Sequence, residues 1–97
     1  MSRFDQAKML MQVKKVQKEL QKQVITVEQG DGAVTVEITG EQKIKKIRIN
    51  PDMVDLDDIQ ELERWLEDAI KDAITASQQV AAEKMQPFMG MLGNLGL

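Results

Sequence analysis

Residues Val24 to Asn50, VITVEQGDGAVTVEITGEQKIKKIRIN, decide the fold, because they alone repeat every two positions between glycine turns. Val34, Val36 and Ile38 alternate with Thr35, Glu37 and Thr39, so a pleated strand places the branched side chains on one face and the polar ones on the other. Ile25 and Val27 repeat the pattern upstream, and Gly30-Asp31-Gly32 supplies residues that accept positive φ in a tight hairpin. Downstream, Gly40-Glu41-Gln42 turns the chain again, and Ile47 and Ile49 point inward while Lys46, Arg48 and Asn50 point out. Ile44 breaks that parity, since two lysines separate it from Ile47. A bulge near Lys45, or a strand beginning at Lys46, restores it. The stretch therefore predicts a three-stranded antiparallel meander with one apolar face.

Such a sheet cannot stand alone in water, so the flanking segments must cover it. Upstream, Phe4 to about Gln23 contains neither Gly nor Pro, and Met9, Val13, Val16 and Leu20 recur at spacings of four, three and four. That spacing makes a helix with an apolar seam. On the opposite side Lys14, Lys15, Lys18 and Lys22 form a basic stripe about 100° wide, with Lys8 at its margin. Phe4, Ala7 and Met11 share the basic side, which a purely solvated face does not need. They point to a partner chain, or to packing against whatever the lysines contact.

Downstream, Asn50-Pro51-Asp52 closes the third strand, because Pro51 cannot donate to a ladder. Asp52, Asp55, Asp57 and Asp58 then crowd together. A calcium loop would need a central glycine and a correctly placed glutamate, so this run fits helix initiation better, with Asp55 or Asp57 as N-cap. With Asp55 as cap, Val54 and Ile59 form a hydrophobic staple. A second helix is expected from about Asp57 to Met85, with the stripe Ile59, Leu62, Leu66, Ala69, Ala73, Ala76 and Val80. Trp65 widens one flank and Ile70 with Ile74 the other, giving an apolar arc of about 180°, more than one contact surface consumes. The sheet is one thing to cover and a second subunit the other, which places Trp65, Leu66, Ala69, Ile70, Ala73 and Ile74 at a dimer interface. Gln86-Pro87 is expected to end the helix. Residues 1–86 then form a single α-β-β-β-α domain, and 87–97 a flexible tail rich in Gly and Met.

Composition narrows the function. The 97 residues contain no cysteine and no histidine, and the only serines are Ser2 and Ser77. Nucleophilic triads and thiolate or imidazole metal sites are thereby excluded, and neither an enzyme nor a cofactor protein is expected. No apolar run is long enough to span a membrane, and the N-terminus lacks the layout of a signal peptide, so the cytoplasm is the expected compartment. A net charge of −3 hides an asymmetry: residues 1–24 carry +4, residues 25–50 are neutral, and residues 51–97 carry −7. Any surface for an anionic partner must lie on the first helix, with a lesser part for Lys43, Lys45, Lys46 and Arg48.

The first helix QAKMLMQVKKVQKELQKQ, the hairpin VEQGDGAVTVEITGE, the stretch KKIRINPDMV and LEDAIKDAI on the second helix together resemble the YbaB/EbfC family of nucleoid-associated DNA-binding proteins. The likeness spans nearly the whole chain; where the family typically has Asn-Asp-Ala, this chain has Lys71-Asp72-Ala73. The resemblance implies an α+β homodimer shaped like tweezers, whose helices hold double-stranded DNA in the nucleoid of a bacterium or plastid with little sequence specificity. It also implies that Arg3, Lys8, Lys14, Lys15, Lys18 and Lys22, with Lys84 near the end of the second helix, contact DNA. Neither a membrane nor a small-molecule substrate is expected as partner. The competing reading is an acidic dimeric adaptor or secretion-type chaperone that binds a protein segment while the lysines merely solvate.

Overall fold

The structure, a computed structural model, describes residues 3–94, without the side chains of Phe4 and residues 90–94. Its elements are helix α1 (Arg3–Lys22), strands β1 (Val24–Gln29), β2 (Val34–Thr39) and β3 (Ile44–Ile49), a 3-10 turn (Pro51–Met53) and helix α2 (Ile59–Asn94). The α+β order α-β-β-β-α expected from the sequence is the observed one.

The sheet is antiparallel in the order β1-β2-β3. Glu37 pairs with Lys46 but Ile38 pairs with Ile44, so Lys45 is an extra residue and the ladder bulges there. The bulge returns Ile44 to the face that carries Ile47 and Ile49. Gly30, Asp31 and Gly32 all adopt positive φ in the first hairpin, and the Ala33 amide donates to the Gly30 carbonyl at 3.1 Å.

The core lies between this sheet and α2. Val34, Val36 and Ile38 of β2 have no exposed surface, and neither do Ala69 and Ala73 of α2. Ile25, Val27, Leu62, Trp65, Leu66 and Ile70 close around them. Each fully buried branched side chain contributes about 1.5–3 kcal/mol over an exposed one. Alanine at positions 69 and 73 lets the helix backbone come close to β2. The 180° arc therefore has its centre consumed within the chain: Ala69 and Ala73 face the sheet and have no surface left for a second subunit.

α2 has a fixed direction over the sheet. Trp65 lies under Gly30 at the first hairpin, where a Cβ would sit 2.6 Å from the ring, and Ser77 reaches the opposite end at Thr39. Beyond Ser77 the helix continues for about 25 Å with no strand beneath it. α1 packs against that overhang. Its seam holds, with Met9 and Leu20 buried and Val13 and Val16 half-buried. Its end is tied down where the Gly40 amide donates to the Leu20 carbonyl at 2.9 Å, and Gly40 has no Cβ to collide with that leucine. The pair projects as an arm, and the molecule measures 65 × 21 × 15 Å.

Two boundaries differ from the sequence reading. α2 does not stop at Gln86-Pro87 but continues to Asn94 with Pro87 inside. Proline removes one helical hydrogen bond and crowds the carbonyl four residues back, but the helix carries it without ending. Of the expected tail, residues 95–97 lie outside the described residues. At the other end Asp58 caps α2, its Oδ1 accepting from the Glu61 amide at 3.3 Å, while Asp55 Oδ1 accepts from the Asp57 amide at 2.9 Å in a separate turn. With the cap at Asp58, Ile59 is the first helical residue, too early to staple to Val54.

Candidate nucleic-acid interface

The arm carries the basic stripe. Lys14, Lys15, Lys18 and Lys22 are all exposed on the side of α1 away from its buried seam, as the 3.6-residue period requires. Lys14 to Lys22 span about 12 Å along the axis, and Lys22 occupies the last turn, where the helix dipole favours a cation. Among the described residues no carboxylate lies within ion-pair distance of these four lysines. Arg3 and Lys8 are exposed nearer the tip.

Lys84 behaves differently. Its Nζ lies 3.5 Å from Glu19 Oε2, tying α2 to α1 at the base of the arm. That half-exposed pair adds at most about 1 kcal/mol, but it neutralises the cation. Lys71 is engaged too, 2.7 Å from Glu67 on α2. The hydrogen bond and charge of Lys71 hold the Glu67 carboxyl below its ordinary range, and Glu67 holds the ammonium above its own. On the polar face of the sheet, Glu37 stands directly across from Lys46, and Lys43 sits 3.9 Å from Glu41.

The fold also separates the charges that the sequence alternates. Nearly all the acidity of the C-terminal half, from Asp52 to Asp72, precedes Ser77 and lies over the sheet or at its hairpin end. Past Ser77 the described part of α2 carries only Glu83 and Lys84. Lys14 stands about 12 Å beyond Lys22 toward the tip, more than one Debye length at physiological ionic strength. The −7 is therefore largely screened at Lys14, the outer end of the stripe.

A second surface lies beside α2. All six residues of β3 are exposed, and Ile44, Ile47 and Ile49, on the helix side of the sheet, are 44%, 41% and 44% exposed. The inward-pointing isoleucines expected from the sequence share the apolar face, but no described residue covers them. A helix is about 10–12 Å across and strands are spaced about 4.8 Å, so one helix covers two strands and leaves the third open. That arithmetic was available from the sequence. The side of α2 nearest β3 follows from its contacts: Asp72 accepts from Gln29 at 2.7 Å on the β1 side, and Ser77 bonds the β2–β3 turn. Leu66, Ile70 and Ile74, in one row with Ser77, therefore flank the open strand. Trp65 turns instead toward the β1 side, at Gly30.

The model of the YbaB/EbfC DNA-binding family matches residues 2–92. A nucleoid-associated protein of Chloroflexus aurantiacus is 42% identical over 84 residues, covering 87% of this chain and 84% of the relative. One from Ruminiclostridium cellulolyticum is 34% identical over 88 residues, covering 91% and 76%. The crystal structure of an uncharacterized protein from Helicobacter pylori superimposes with a TM-score of 0.72 at 19% identity, covering 89% of this chain and 87% of that one. It shares the fold.

Proposed function

Since the chain belongs to the YbaB/EbfC DNA-binding family, we propose that it is a nucleoid-associated homodimer that grips double-stranded DNA between two basic arms. The observation that carries this reading is the stripe Lys14, Lys15, Lys18 and Lys22, four exposed cations on a projecting helix with no ion-pair partner among the described residues. Arg3 and Lys8 extend it toward the tip, and Lys84 contributes least because Glu19 neutralises it. Lysine is a flexible point charge that suits phosphate and reads base edges poorly, so binding is largely indifferent to sequence.

The dimer forms through the open side of the sheet. Ile44, Ile47 and Ile49 with Leu66, Ile70 and Ile74 make one apolar surface. A two-fold axis beside β3 would let two copies cover each other and present the stripe twice. The test is a titration of mixed-sequence duplex DNA at several salt concentrations, with the oligomeric state measured by sedimentation. A dimer whose affinity falls with salt is expected. A monomer, or no binding at low salt, overturns the reading, and the second result would turn attention to a protein segment as ligand.

A further inference from the structure

On the basic face of α1 a methionine stands among the lysines. Met11 is 72% exposed and lies at the centre of the arc that Lys14, Lys15 and Lys18 occupy. The four side chains line an open, mostly apolar recess on the helix surface. An apolar patch flanked by ammonium groups is complementary to an apolar ring with an anion on either side.

We infer that this recess receives a deoxyribose of the DNA backbone, with Met11 and the lysine stems packed on the sugar while the ammonium groups take its flanking phosphates. The inference rests on the DNA-binding reading and adds to it a contact that is not electrostatic. Lys14 and Lys18 are about 6 Å apart along the helix, within reach of successive phosphates on one strand given the flexibility of their stems. A recess accepts a group and does not wedge between bases, so the contact is to the backbone and carries no sequence information.

The two kinds of contact separate in a salt titration. Phosphate neutralisation sets the slope of log K against log salt, whereas apolar burial shifts the whole line. Met11→Gln keeps length and helix propensity, and at so exposed a position it leaves folding intact, as circular dichroism will verify. Against AT-rich and GC-rich duplexes alike, the variant should bind about fivefold more weakly at every salt concentration with an unchanged slope, and Met11→Leu should restore the affinity. A Met11→Gln line that superimposes on the wild type, or a loss confined to one duplex, overturns the inference while leaving DNA binding in place. If the wild type itself fails to bind at low salt, the functional reading falls and the inference with it.

Discussion

The hydroxyl of Ser77 donates to the main-chain carbonyl of Thr39 at 2.7 Å, and the same oxygen accepts from the Gln42 amide at 3.0 Å. Ser77 has no exposed surface, and Gln42 is held at a φ of 66°, so this one side chain clasps α2 to the β2–β3 turn where the arm leaves the sheet. Ser77→Ala removes the partner of a part-buried carbonyl and leaves the turn unsupported. The expected loss is about 1–3 kcal/mol, which for a chain of this size lowers the melting temperature by roughly 5–20 °C. Thermal unfolding at fixed protein concentration measures it, and an unchanged midpoint would show that water replaces the hydroxyl.

Gly30 and Gly32 form a matched pair of probes. Both have positive φ, but a Cβ on Gly30 would meet the Trp65 ring at 2.6 Å whereas one on Gly32 meets nothing within 4 Å. Gly32→Ala therefore carries only the backbone penalty, about 1–2 kcal/mol. Gly30→Ala should be clearly worse and should shift the fluorescence of the single tryptophan, because the ring must move. Equal losses with unchanged emission would refute the close packing.

Substitution should separate the surface proposed for the dimer from the core. Ile47→Glu places a charge on an exposed strand, so it should convert the dimer to a folded monomer in sedimentation with its circular dichroism retained. Ala73→Glu places the same charge where there is no exposed surface and should unfold the chain outright. A dimer that survives Ile47→Glu puts the interface elsewhere.

For DNA binding, neutralising about four phosphates per dimer predicts a salt slope of roughly −3 to −4. Lys14→Gln with Lys18→Gln should weaken binding to all sequences alike and flatten that slope. Lys84→Gln should change it little, since Glu19 already holds that cation. Lys46→Ala should also have a small effect, with Glu37 directly across the ladder. The opposite ranking would move the binding surface from the arm to the sheet.

What the sequence determined by itself is what local periodicity encodes. The alternation around Val34, Val36 and Ile38, the break in parity at Ile44, the apolar seam of α1 and the lysine stripe opposite it all follow from spacings of two or of three and four residues, while the structure chose the bulge at Lys45. The tertiary structure decided everything that depends on which face meets which neighbour. An apolar arc does not say which of its residues the sheet consumes, so Ala69 and Ala73 became core while Ile70 and Ile74 flank an open strand. Serine in a helix looks incidental until the Thr39 turn is brought to it. Lys84 loses its freedom only because Glu19 lies across the arm. Pro87 stays inside a helix, against what local propensity favours. The separation of the acidic half from the basic stripe is likewise a matter of distance along a 65 Å molecule, and distance enters only when the chain has folded.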